Sequence, residues 1–255
     1  VKRARVVKGL GHGLDEAAVQ VFGEIEKTPN VALLNVDSIA VTIGELTLPI
    51  RVAATYQLGN SYRNVGRALL ERSRNAAEEG DSLVAAQRLV EARSSFNAGK
   101  DFYRRLAEGQ ERAPENVRVM ALYQIARASY QMGDYAAVVL ETGEMLERFP
   151  GGEYEEEALY DAGWAHYYMG HYQEAISTFG RLLALSQDAL KTDRALFQTG
   201  ESYFALGEYG QARSYYEKLV GKYDFSALSD KELQEMKAQR LRGLVQETTR
   251  ELVAK

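Results

Sequence analysis

Three stretches of the chain superpose without a gap: Leu122 to Tyr135 (LYQIARASYQMGDY), Leu159 to Tyr172 (LYDAGWAHYYMGHY) and Leu196 to Tyr209 (LFQTGESYFALGEY), each 37 residues after the one before. A fixed period of this size means stacked supersecondary units. In every copy a small residue (Ala126, Gly163 or Gly200) lies seven positions before a glycine (Gly133, Gly170 or Gly207), and a tyrosine (Tyr135, Tyr172 or Tyr209) follows two residues later. The small residue lets two helices approach closely, the glycine supplies a left-handed backbone angle at a helix end, and the tyrosine packs over the turn. Each unit is therefore a helix, a tight turn and a second helix. The expected fold class is all-α: an α-solenoid of stacked antiparallel helix pairs.

Position by position the copies resemble the tetratricopeptide repeat, a helix pair with a small residue at position 8, Gly near 15, an aromatic near 17, Ala at 20, an aromatic at 24 and Pro at 32. Counted from Val119, the first unit places Ala126, Gly133, Tyr135 and Pro150 in register. From Glu156 the second places Gly163, Gly170, Tyr172, Ala175 and Phe179, and from Asp193 the third places Gly200, Gly207, Tyr209, Ala212 and Tyr216. Val138 and Thr142 replace the Ala and the second aromatic in the first unit, which alone keeps the Pro. The junction Phe149-Pro150-Gly151-Gly152-Glu153-Tyr154 is similar to that of bacterial envelope members of the family, the outer-membrane assembly lipoproteins of the BamD type and the periplasmic TolA-binding coordinators. The lipidated Cys of the former and the heptad coiled coil of the latter are missing from this sequence. The resemblance implies a protein-binding scaffold of the periplasm or cell envelope.

Outside the three copies the texture changes. Val52 to Glu79 has apolar residues at helical spacing, ends at Gly80, and contains Tyr56-Gln57-Leu58-Gly59-Asn60-Ser61-Tyr62, which echoes Phe197 to Tyr203. Leu83 to Leu106 reads as a degenerate copy of the repeat, with Phe96 as its turn aromatic. Asp15 to Lys27 has helical periodicity, whereas Val36 to Ile50 alternates around Gly44-Glu45 and predicts a short β-hairpin needing an apolar surface to lie on. Ser229, with Glu232 three residues on, opens an amphipathic stretch to about Val253 that would cap the solenoid. The expected organisation is an N-terminal region (1–50), a helical region with a degenerate repeat (51–118), three repeats (119–223) and a C-terminal capping helix (224–255). Starting at Val1 rather than Met, the chain is expected to be a processed form or a fragment.

Composition bounds the chemistry. Cysteine is absent from the 255 residues, which removes disulfides, thiolate metal sites and Cys nucleophiles and suits cytoplasm or periplasm equally. The most apolar window, Val31 to Ile50, contains Asn35, Asp37 and Glu45 and does not read as a membrane span. Residues 1–118 carry 17 basic and 15 acidic side chains, residues 119–223 carry 8 and 15, and residues 224–255 carry 6 of each. The acidic repeats should repel nucleic-acid phosphates. Ala98-Gly99-Lys100-Asp101 lacks the Ser or Thr of a phosphate-binding loop, and His166 and His171 lack the i, i+4 spacing of a zinc helix. The Glu153 to Glu157 cluster opens a helix, where the dipole favours negative charge. Neither a G-x-S-x-G nor an H-E-x-x-H motif occurs. The expectation is a non-enzyme with no cofactor and no metal.

In the family the first helix of each repeat lines a concave groove with positions 2, 5, 9, 12 and 13. The resemblance therefore points to Met120, Tyr123, Arg127, Tyr130 and Gln131, then Glu157, Tyr160, Trp164, Tyr167 and Tyr168, then Arg194, Phe197, Glu201, Phe204 and Ala205. Eight of the fifteen are aromatic, and Tyr and Trp give large contact area at low entropic cost. Tyr123, Arg127, Tyr130, Tyr160, Trp164, Tyr167, Tyr168, Phe197, Glu201 and Phe204 form the candidate partner-binding set. Among them Tyr160 and Phe197 are the rings best suited to plain helix packing, and Trp164 and Tyr168 the ones best suited to a groove. Expected partners are proteins, bound through the groove or the N-terminal apolar segment. The alternative is a constitutive structural subunit of a large assembly.

Overall fold

The structure is a computed structural model, and it describes residues 40–43, 46–110 and 112–222. The expected helix at 15–27 and the capping stretch after Ser229 lie outside the described residues. Among the described residues the fold is all-α apart from one hairpin, with helices in stacked pairs. The chain divides into two compact units, one running to Met132 and the other starting at Gly133.

The first unit opens with strands β1 (Ala40–Ile43) and β2 (Leu46–Pro49), antiparallel, with Ile43 opposite Leu46. That pairing is the hairpin expected for Val36 to Ile50. The hairpin rests on helix α1 (Ile50–Glu78), with Leu48 buried. α1 ends at Gly80, whose φ of 84° only glycine adopts without strain. The Asp81 N–H bonds to Ala76 O at 2.8 Å and the Gly80 N–H to Ala77 O at 3.1 Å, the closure that satisfies the last carbonyls of a helix. Asp81 then caps helix α2 (Ser82–Ala107) by accepting from the Val84 N–H.

Two glycines inside α1 explain how tightly this pair packs. Glycine in a helix interior costs about 1 kcal/mol relative to Ala, yet a Cβ on Gly59 would fall 2.5 Å from the Tyr103 ring, and one on Gly66 would fall 3.0 Å from the Phe96 ring. Both rings are fully buried. The glycines are slots for aromatic side chains of α2, seven residues apart on α1 and seven apart on α2. Phe96 is thus not a turn aromatic: α2 runs unbroken through it, and the only turn of this hairpin is at Gly80. Helix α3 (Glu115–Met132) packs on α2, placing Ala128 and Met132 with Leu69, Ala92 and Phe96.

The second unit contains α4 (Tyr135–Arg148), α5 (Glu155–Tyr168), α6 (Tyr172–Leu185), α7 (Ala189–Ala205) and α8 (Tyr209–Gly221). Gly170 and Gly207 hold φ of 76° and 77° at the turns of the α5/α6 and α7/α8 pairs. A Cβ on Gly163 would sit 2.6 Å from the Phe179 ring, and one on Gly200 would sit 2.5 Å from the Tyr216 ring. The small residue and the later aromatic of the second and third repeats are therefore one contact. Leu159, Phe179, Leu182 and Ala195 form the buried centre between the two pairs. The first-turn glutamates of α5 are used structurally: Glu155 accepts from the Gly151 N–H at 2.7 Å, while Glu156 and Glu157 receive Lys191 of α7 at 3.3 and 2.6 Å.

Candidate functional site

The proposed rows of the second unit are built by helical spacing on α5 and α7. Trp164 stands edge-on to the buried Phe179 ring (6.3 Å, 90°) and lies face to face with Tyr168 (5.5 Å, 29°). Tyr168 stacks in turn on Tyr135 at the start of α4 (4.8 Å, 26°). Tyr160 and Tyr167 meet Trp164 edge-on at 6.3 and 6.1 Å. Four of the candidate rings are thus one cluster, and Tyr135, read from sequence only as a turn residue, extends it.

Exposure separates the roles of these rings. Trp164, Tyr160 and Tyr167 are half-buried against the core, so Trp164 is a packing residue as well as a surface one. Tyr160 reaches across to α7, accepting from the Arg194 guanidinium at 3.4 Å. Tyr168, Phe197 and Phe204 present more of their area, at 36, 47 and 57 %. Phe197 lies 6.0 Å from Tyr216 and Phe204 lies 5.2 Å from Tyr209.

A polar group sits among these rings. Tyr216 donates its hydroxyl to Glu201 at 2.6 Å. Partial burial and this bond to an anion both push the Tyr216 pKa well above the usual tyrosine value. Tyr167 is also raised, by burial first and then by the Glu201 and Tyr172 charges, with a hydrogen bond from Gln198 opposing. Both phenols therefore stay protonated as donors at neutral pH. Tyr216, missed as a site residue, was legible: it is the aromatic at position 24 of its repeat.

In the first unit Tyr123, Arg127 and Tyr130 lie half-buried on α3, with the Arg127 guanidinium 5.6 Å from the Tyr130 ring centre. The same unit holds a polar network that sequence reading did not single out. Arg63 donates to Gln124, Gln124 donates to the Tyr56 hydroxyl at 3.3 Å, and Tyr103 donates to Asn60 at 2.8 Å. The signal was present in the echo of Tyr56 to Tyr62 with Phe197 to Tyr203. It aligns Gly59 with Gly200 and Asn60 with Glu201, and Tyr103 bonds Asn60 as Tyr216 bonds Glu201. His166 and His171 sit 6.2 Å apart at the α5/α6 turn, and among the described residues no group of three or more His, Asp or Glu side chains is placed to hold a metal ion. No helix among the described residues is long and apolar enough to cross a membrane.

Residues 160–227 match the tetratricopeptide repeat family. That segment begins at Tyr160 and takes in the α5/α6 and α7/α8 pairs of the tetratricopeptide pattern. Among solved structures, nearly identical TPR-like repeats of a protein described as a kinesin light chain of Podosopora anserina align with 15 % identity and a TM-score of 0.44, over 82 % of this chain and 91 % of that one. The MamA protein aligns with 14 % identity and a TM-score of 0.41, over 84 % of this chain and all of that one. No curated protein matches the chain significantly.

Proposed function

We propose that this protein is a non-catalytic scaffold that holds a segment of a partner protein against the aromatic rows of its tetratricopeptide pairs, in a bacterial cell envelope. The observation that carries the reading is the surface placement of Tyr168, Phe197 and Phe204 along one set of rows, beside the hydroxyls and carboxylate of Tyr167, Tyr216 and Glu201. Exposed rings in register with polar groups are what binding hot spots are made of. The Phe149 to Tyr154 junction, similar to that of the envelope members of the family, is what supports the envelope reading. The idea of a permanent structural subunit drew on an apolar N-terminal segment in search of a neighbour, and the described part of that segment rests on α1 with Leu48 buried.

The test is site-specific photo-crosslinking in native cells. A crosslinking side chain at Tyr168 or at Phe204 should capture one defined partner, whereas the same group at Leu83, which is 81 % exposed on α2, should not. Equal capture at all three positions would reject the groove. Fractionation of the full-length gene product checks the compartment.

A further inference from the structure

Resting on that reading, we infer that the segment seated against α5 and α7 is basic, with Lys or Arg side chains spaced between apolar ones. Residues 133–222 contain 15 acidic and 7 basic side chains. All seven of these described cations have a partner within the unit. Arg148, Arg181, Lys191, Arg213 and Lys222 pair with Glu144, Glu155, Glu156 and Glu157, Glu217 and Asp193. Arg194 bonds the Tyr160 hydroxyl, and the Lys218 ammonium lies 4.3 Å from the Tyr215 ring centre. Among the described residues of the unit, each cation already has a carboxylate or a ring beside it.

The carboxylates are disposed differently. Phe197, Glu201 and Phe204 follow one another at intervals of four and three, a single stripe on α7, and Glu208 lies beyond the Gly207 turn as the residue before α8. Among the described residues no cation pairs with Glu201 or Glu208, and Glu201 is met by the Tyr216 hydroxyl alone. The stripe alternates exposed ring and carboxylate. A lysine or arginine laid along it meets a ring face and an anion together, a pairing that cation–π attraction and charge both favour. An acidic segment would add its charge to an unpaired one.

Trp164 is the only tryptophan of the chain and stacks on Tyr168, so its emission reports on the α5 face. The experiment uses the whole protein and three short Trp-free peptides that share apolar residues and alternate them with Lys and Arg, with Glu, or with Ser. Trp164 emission and calorimetric heat are both recorded. The basic peptide should bind at least about tenfold more tightly than the Ser peptide. That preference should shrink as salt rises from about 0.1 to about 0.5 M. Glu201→Gln keeps an acceptor for Tyr216, so the fold should hold by circular dichroism while basic-peptide affinity falls several-fold and Ser-peptide affinity stays. Glu144→Gln, an exposed change on α4, should leave both unchanged. Equal or tighter binding of the Glu or Ser peptide overturns the inference and leaves the groove standing. So does an equal loss in Glu144→Gln, which would make the attraction diffuse. Binding of none of the three overturns the groove reading and the inference with it.

Discussion

The α1/α2 hairpin and the α5/α6 and α7/α8 pairs use the same contact at different lengths. In the short pairs the small residue precedes the turn glycine by 7 positions (Gly163 to Gly170, Gly200 to Gly207), while in the long hairpin the figure is 21 (Gly59 to Gly80). The aromatic follows the turn glycine by 9 positions in the short pairs and by 23 in the long one (Gly80 to Tyr103). Each arm is longer by 14 residues, about 21 Å of helix at about 1.5 Å per residue. Fourteen residues are nearly four turns, so the added length returns Gly59 and Tyr103 to the facing sides of their helices. The midpoint of the addition carries a second contact of the same kind, Gly66 against Phe96. The lesson is that what these helix pairs share is a small residue facing a ring, and the long hairpin adds its extra length in two steps of seven residues, about two turns each.

The two regions also differ in charge: residues 40–132 hold 13 basic and 10 acidic side chains, against 7 and 15 in residues 133–222. Asn60 and Glu201 show the difference at equivalent positions. Each accepts a buried or partly buried tyrosine hydroxyl, but the first unit does so with a neutral amide near Arg63 and the second with a carboxylate.

The largest effect should come from emptying a slot. Phe96→Ala and Phe179→Ala each remove a ring with no exposed surface and should cost about 3 to 5 kcal/mol. Trp164 lies against Phe179, so tryptophan emission reports the second unit and circular dichroism reports all helices. Phe179→Ala should lower the emission midpoint in urea more than Phe96→Ala does. A Phe96→Ala protein with wild-type helical stability would restore Phe96 to a turn and break the comparison.

Filling a slot should cost less. Gly163→Leu places carbon where the Phe179 ring stands and should cost about 1 to 3 kcal/mol. Phe179→Leu in the same chain should recover part of that loss, because the new side chain then has room. An additive double variant would show that Gly163 and Phe179 do not share one contact. Smaller again is Lys191→Met. The ammonium is partly exposed, so burial, which lowers its pKa, is outweighed by Glu157 and Glu156, which raise it. Exposed pairs of this kind contribute about 0.2 to 1 kcal/mol. A raised lysine pKa stabilises below the unfolded value and is lost only as pH climbs past the folded one, so wild type and variant should converge in melting temperature only in strong alkali.

How much of this was readable depended on spacing. The three-copy period exposed α5 to α8, their turn glycines and the rows on α5 and α7, because unbroken arms keep every position in phase. α1 was readable too, from its apolar spacing and Gly80. Phe96 was misread because it lies 39 residues before Tyr135, close to the 37 of the true period, and a sequence offset cannot tell a turn from the middle of a long arm. The aromatic rows were read from the first helix of each repeat alone, so Tyr135 and Tyr216, which complete the surface from the second helices, were left out. Trp164 was read as one of the two rings best suited to a groove, because its edge contact with Phe179 arises from the fold of α6 back onto α5.

The smallest predicted effect tests the α5/α6 turn, which has no ionisable pair at the equivalent place in the long hairpin. Burial lowers the His166 pKa first, Glu174 raises it, and the neighbouring His171 lowers it, leaving it below the ordinary histidine value. Its Nδ1 is buried with no hydrogen-bond partner among the described residues, so the neutral ring is the form the fold accepts. A histidine whose folded pKa is depressed gives stability that is complete above its unfolded value, near 6.5, and is lost as pH falls from there toward the folded value. Melting temperature should therefore drop between about pH 7.5 and pH 5.5 in the wild type, and His166→Gln should flatten part of that drop while carboxylates supply the remainder. The His171→Gln variant separates the two causes: removing the second ring leaves burial in place, so most of the slope should persist. A slope abolished by His171→Gln and untouched by His166→Gln would place the titrating group at the exposed start of α6 instead of inside the pair.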